Sequence, residues 1–199
     1  MEKVIVDLHN KLKKHILEEG VCLPYVLKFK RCNGAKDFLK LGIHPQSINF
    51  VIQSIKDNAI TKEDICTQLD KYINGKYIIK DILDNVSGYS GEYYCNHKNA
   101  DVEVRTNCIH LIGCENVTLN IPVGKAPMIY ISNECKDIKI VSQGINVINI
   151  NIYEDCNVIL QDIKLAKSVN IYKFGKHIFV RNLKSINNVH QFEREFKVF

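Results

Sequence analysis

Residues 109–131 read IHLIGCENVTLNIPVGKAPMIYI, and the spacing of their apolar residues keeps returning as far as Val180. The pair Ile109/Leu111 recurs as Ile129/Ile131, Ile150/Ile152 and Val169/Ile171, in steps of 20, 21 and 19. The pair Val117/Leu119 recurs as Ile138/Ile140, Val158/Leu160 and Ile178/Val180, in steps of 21, 20 and 20. Between the two sets lie Cys114, Cys135 and Cys156, 21 residues apart each time. A looser third set runs Val102/Val104, Ile121/Val123, Ile145/Val147 and Ile163/Leu165. Within each pair apolar and polar residues alternate, as in Ile138-Lys139-Ile140, so the pairs are strands and not helices. Ile and Val dominate them, while Asn, Asp and Gly fill the intervals as turns require. An antiparallel sandwich has no need for equivalent positions to recur at a fixed period, whereas a stack of coils does. The repeat therefore predicts a parallel β-solenoid over residues 92–184, right-handed by the crossover rule, with three short strands per rung and four to five rungs. Its three regularly spaced cysteines then form a ladder at one corner, with rungs about 4.8 Å apart.

Ahead of the repeat the apolar period changes from two to that of a helix. Ile5, Leu8, Leu12 and Ile16 make one stripe within residues 2–19, with Gly20 as a stop. A Pro-containing turn is expected at Cys22-Leu23-Pro24-Tyr25, then short helices at 35–42 and 45–56. Thr61 precedes Asp64 by three residues and so reads as the N-cap of a further helix that Gly75 ends. Residues 84–91 (DNVSGYSG) read as a linker. The fold class expected is α+β: a small helical domain over 1–84, the solenoid over 92–184, and a C-terminal cap or anchor over 185–199. In that last segment Val189, Phe192, Phe196 and Phe199 follow a helical spacing.

Function is less legible. The formal net charge of +5 resides in residues 1–80, the remainder being balanced. That excess suits an acidic partner better than a nucleic acid, which usually demands a stronger basic face. The basic residues form two groups, Lys11/Lys13/Lys14 and Lys28-Phe29-Lys30-Arg31. In the second an aromatic sits among cations, an arrangement able to hold phosphates and stack a base. Carboxylates gather at Asp101/Glu103, Glu134/Asp137 and Glu154/Asp155/Asp162, but Glu134 and Asp137 flank Cys135 and Glu154 and Asp155 precede Cys156 at matching positions, as recurring turn residues do. The seven histidines are scattered, and there is no GxGxxG, P-loop or HExxH. No catalytic residue, metal or cofactor is expected. The eight cysteines include no CxxC pair and read as thiols filling repeat positions. Charges at Lys11, Lys13, Lys14, Glu18 and Glu19 interrupt any secretion signal, and no apolar run is long enough to span a membrane. A cytoplasmic location in a host cell is expected, with a virion as the alternative.

Leu8-His9 and Leu12, then Val21-Cys22 and Pro24, match the two halves LHxxL and VCxPW of an opening pattern LHxxLxxxxxVCxPW, with eight residues between them where the pattern has five. On these residues the chain resembles a family of short, uncharacterised proteins encoded by phages, prophages and mobile elements of Bacteroides-type gut bacteria. Tyr25 stands where that family has Trp. The resemblance covers about the first 45 residues. It implies a helical opening followed by β repeats, and it supplies no activity. The combined expectation is a non-enzymatic structural or interaction protein, a phage virion accessory that presents a solenoid surface, with a phage-encoded inhibitor or adaptor of a host protein as the alternative. The contact residues expected are Phe192, Phe196 and Phe199 for self-association as a trimer, and Lys28, Phe29, Lys30 and Arg31 for a protein partner. Neither nucleic acid nor a membrane is the expected partner.

Overall fold

The structure is a computed structural model that describes residues 3–18, 23–45, 47–83, 86–182 and 188–195. The chain divides into two compact units, one running to Glu92 and one comprising Tyr93–Glu195.

The first unit is helical. Helices α1 (Lys3–Glu18), α2 (Leu23–Arg31), α3 (Ala35–Ile43), α4 (Ile48–Lys56) and α5 (Lys62–Gln68) are followed by one 3-10 turn at Asp70–Tyr72. Leu8, Leu12 and Ile16 of α1 are buried, as their spacing requires, together with Phe29, Phe38, Leu39, Ile43, Phe50 and Val51. The expected turn at Cys22–Tyr25 is instead the start of α2, which runs from Leu23 through Pro24. Proline is compatible with a first helical turn because no intrahelical acceptor awaits its missing N–H. The expected linker is partly structured: Ile79 pairs with Gly91 and Leu83 with Val86 as antiparallel bridges.

Thr61 forms a capping box. Its Oγ1 accepts from the Asp64 amide at 3.0 Å, and its own amide donates to Asp64 Oδ2 at 2.9 Å. Asp64 also accepts from Lys11 Nζ at 2.7 Å. Partial burial opposes ionisation of Asp64, but hydrogen bonds from Lys11 and Thr61 outweigh it and hold the carboxyl below its usual range. Thr61→Ala should cost about 1 kcal/mol of stability. A chemical denaturation midpoint unchanged by that substitution would show that α5 does not depend on its cap.

The second unit is the solenoid. One sheet contains six parallel strands in the order β1 (Gly91–Cys95), β3 (Cys108–Ile112), β5 (Met128–Ser132), β7 (Val147–Tyr153), β9 (Ser168–Phe174) and β11 (Val189–Arg194). The other contains five, in the order β10 (Phe179–Asn182), β8 (Asn157–Leu160), β6 (Ile138–Ser142), β4 (Glu115–Ile121) and β2 (Lys98–Glu103). The register follows the repeat: Ile109 lies beside Ile129, Ile129 beside Ile150, and Ile150 beside Ile171. These residues and Leu119, Ile140 and Leu160 of the second sheet are fully buried in one core.

Two expectations are corrected here. Each rung carries two strands, not three. The third apolar set belongs to turns and strand ends, where Val123, Ile145 and Leu165 are 71%, 75% and 63% exposed. The expected C-terminal helix is a strand, β11, which pairs with β9 from Val189 beside Val169 to Arg194 beside Phe174. Most of the 185–199 segment's described residues thus extend the solenoid. In register with Ile171 and Lys173, β11 carries Gln191 and Glu193, both exposed, and Glu193 pairs with the Lys173 ammonium at 3.3 Å. A polar terminal rung of this kind closes a repeat stack against further addition.

Corners of the coil need backbone that L-residues rarely adopt. Asn96, Gly113, Asn133, Glu134 and Asp155 follow strands of the first sheet and have φ between 49° and 64°. Asn and Asp tolerate this region best among residues that bear a Cβ. Gly144 meets a different demand, since a Cβ there would lie 2.9 Å from a Val123 methyl on the preceding rung.

Candidate functional site

The Lys28–Arg31 segment is the last turn of α2, so its four side chains point in different directions. Phe29 faces inward and is 4% exposed. Its ring stacks on His9 at 4.1 Å and 7°, and meets Phe38 edge-on at 6.4 Å. The expectation that Phe29 contacts a partner is therefore corrected, because the ring is spent on the core of the helical unit. Lys30 lines a groove with His9, Asn10, Lys13, Ile16 and Val26. Lys28 and Arg31, three residues apart, open on the other side.

There they meet α3. Lys28, Arg31 and Cys32 line a cleft of about 270 Å³ with Asp37, Lys40, Leu41, His44 and Ile82. Lys40 lies in the last turn of α3, and His44 is its C-cap. The single carboxylate of this lining is already used, since Asp37 Oδ2 accepts the Asn33 amide at 3.1 Å. Neither Arg31 nor Lys40 has a carboxylate partner among the described residues. Burial, with a smaller push from the Asp37 charge, raises the Cys32 thiol to about 11. That sulfur stays protonated at neutral pH and donates to the Lys28 carbonyl at 3.5 Å, so it is no nucleophile. Sequence reasoning found Lys28 and Arg31 but missed Lys40 and His44. Those two join the cleft only because α3 folds back beside α2, which no local spacing announces.

On the solenoid, the expected contact residue Phe192 lies on the outer face of β11, 41% exposed. Its ring stacks on Tyr172 of the neighbouring strand at 5.2 Å and 18°, and the Arg194 guanidinium lies 5.5 Å from the Tyr172 centroid. Phe196 and Phe199 lie outside the described residues. Of the candidate carboxylates, Asp101 and Glu103 lie in β2, whereas Glu134, Asp137 and Asp155 sit at turns with left-handed φ, and Asp155 accepts from the His177 ring at 3.1 Å.

The cysteine ladder is present. Cys114, Cys135 and Cys156 are at most 1% exposed, and the Cys114 amide donates to Cys135 Sγ at 3.3 Å. Burial holds the Cys135 thiol well above its ordinary value. The reading of all eight cysteines as thiols is corrected at two positions, because Cys66 and Cys95 are each disulfide-bonded. Among the described residues no group of three or more His, Cys, Asp or Glu side chains converges as a metal ion requires, and no helix is long and apolar enough to cross a membrane.

No protein family matches this chain, and neither a curated protein nor a solved structure matches it.

Proposed function

We propose that this chain is a non-enzymatic interaction protein of the adaptor or inhibitor kind, which holds an acidic surface of a host protein through the α2–α3 cleft. The observation that carries the reading is the pair of cations, Arg31 and Lys40, on an apolar floor without carboxylate partners among the described residues. Unpaired charge beside apolar surface costs stability, and a docking partner's carboxylates or phosphates remove that cost. The opening pattern at Leu8-His9, Leu12, Val21-Cys22 and Pro24 supports a phage or mobile-element setting.

A virion accessory role would ask the solenoid end for self-assembly. The polar residues Gln191 and Glu193 oppose stacking there, and Val189 and Phe192, the first two residues of the helical spacing, lie in the strand β11. Light scattering on a size-exclusion column should therefore give a monomer at low and at high salt. A salt-insensitive trimer would overturn the adaptor reading in favour of a virion component. Used as bait, the chain should retain a host protein that high salt releases and that the double variant Arg31→Glu/Lys40→Glu fails to hold. Equal retention by the variant would remove the cleft from the reading.

A further inference from the structure

We infer that one corner of the solenoid docks on an anionic lipid surface, its aliphatic side chains inserted among the headgroups and its lysines held over them. The corner is built from the turns 122–127, 143–146 and 161–167, which join β4 to β5, β6 to β7 and β8 to β9 on successive rungs. Each turn points one large aliphatic side chain outward, Val123, Ile145 and Leu165, and all three are mostly exposed. Rungs lie about 4.8 Å apart, so the three form one apolar ridge and not scattered single residues. The ridge is braced from within. The Asn146 side-chain amide donates to the Pro122 carbonyl at 3.2 Å and to Ser142 Oγ at 2.9 Å, and the Lys167 amide donates to the Asn146 carbonyl at 2.8 Å. A surface fixed in this way loses little conformational freedom on docking.

Charge points to an anionic occupant. The three turns carry Lys125, Lys164 and Lys167 against one carboxylate, Asp162. Lys125 Nζ donates to the neutral Arg105 carbonyl at 3.1 Å, and Lys164 and Lys167 have no carboxylate partner among the described residues. Composition separates a membrane from a protein. Protein interfaces favour aromatic residues, arginine and methionine and are poor in lysine. These turns hold no aromatic residue, arginine or methionine. Exposed aliphatic side chains beside lysines, whose stems cover apolar surface while the ammonium stays wet, suit the headgroup boundary of a bilayer. The sequence expectation of no membrane partner came from the lack of a spanning segment, and a corner that inserts only side chains needs none.

Co-sedimentation of the full chain with two kinds of vesicle tests this, one of phosphatidylcholine alone and one of phosphatidylcholine and phosphatidylglycerol in equal parts. The chain should bind the anionic vesicles about tenfold more tightly, and salt should weaken that binding. Ile145→Asn and Leu165→Asn should each weaken it about tenfold, and Lys164→Gln and Lys167→Gln about fivefold each. These four variants should keep the unfolding midpoint of the wild type, because the side chains they change are exposed. Phe179→Asn, at an exposed residue of β10 away from the corner, should leave binding unaltered. The chain has no tryptophan, so Ile145→Trp adds a single reporter whose emission should shift to the blue on anionic vesicles, while that of Phe179→Trp should not. Absence of binding, equal binding to neutral vesicles, or an unshifted Ile145→Trp emission would overturn the inference. Binding indifferent to the corner substitutions would place the attraction on the excess charge of residues 1–80 and overturn it as well. If vesicles fail and Ile145→Asn instead releases a captured host protein, the ridge is a protein contact and the lipid assignment falls. The adaptor reading, which stands on α2 and α3, is independent of each of these results.

Discussion

Ile150→Asn is expected to lower the stability of the solenoid by about 5 kcal/mol, while the same change at Ile145 costs less than about 0.5 kcal/mol. Ile150 is fully buried in β7, between Ile129 and Ile171 on the neighbouring rungs. Truncating a buried aliphatic side chain costs about 2–5 kcal/mol through lost burial and an unfilled cavity. The incoming amide then finds only apolar neighbours, and an unsatisfied buried polar group adds about 1–3 kcal/mol. Because each rung touches only its neighbours, damage in the middle of the stack interrupts both flanking interfaces. Ile145 has the same chemistry and is 75% exposed in a turn. Urea unfolding followed by far-ultraviolet circular dichroism would compare the two variants. Similar costs at the two positions would mean that the inward and outward assignment of the repeat is wrong.

That pair also shows what the repeat could and could not convey. Recurrence every 20 or so residues reports that a position is equivalent from rung to rung, and it says nothing about burial. Val123, Ile145 and Leu165 belong to the looser set and face solvent, whereas Val104, Ile121 and Ile163 of the same set are buried, so apolar recurrence alone suggested a third strand where there is none. The cysteine ladder was legible because its spacing is regular and a small thiol suits a tight corner. The final strand was obscured by its own polar closure. With Gln191 and Glu193 at the positions in register with Ile171 and Lys173, the apolar residues that remain, Val189 and Phe192, imitate a helical step. Val189 does lie 20 residues beyond Val169, and that spacing was the signal for another rung. The helix α2 was hidden by Pro24, which suits a turn and a first helical turn equally. In the candidate site, composition pointed to Lys28 and Arg31, but the direction of each side chain depends on helical phase. Phe29 turns inward for that reason, and Lys40 arrives from a separate helix.

Acid should weaken the fold through His110, and His110→Gln should remove most of that effect. The ring is fully buried in β3, tilted against Tyr93 at 5.4 Å and edge-on to Tyr130 at 6.3 Å. Its Nε2 lies 2.9 Å from Ser132 Oγ. Ser132 directs its own hydroxyl to acceptors, Asn133 Oδ1 at 2.7 Å and the Leu111 carbonyl at 3.4 Å. Nε2 is therefore the protonated nitrogen that donates to Ser132, and Nδ1 presents a bare lone pair. Nδ1 is buried and has no hydrogen-bond partner among the described residues. A second proton would create a charge, and an N–H with no acceptor, in a dry site. Burial accordingly pushes the His110 pKa down to about 3. In the unfolded chain the same ring titrates near 6.5. Between these values the unfolded state binds the proton and the folded state does not, so the contribution to stability is complete above about pH 6.5 and drains away as pH falls toward 3. The slope approaches about 1.4 kcal/mol per pH unit, or roughly 2 kcal/mol between pH 6.5 and 5, above the range where most carboxylates titrate. Glutamine keeps an amide to donate to Ser132 and cannot take up a proton. Unfolding free energies of both proteins across that window should therefore converge as pH is lowered, the wild type losing stability and the variant holding nearly level. Parallel profiles would mean that His110 finds a partner for its second proton in the fold, and the loss in acid would have to be sought among the other buried groups.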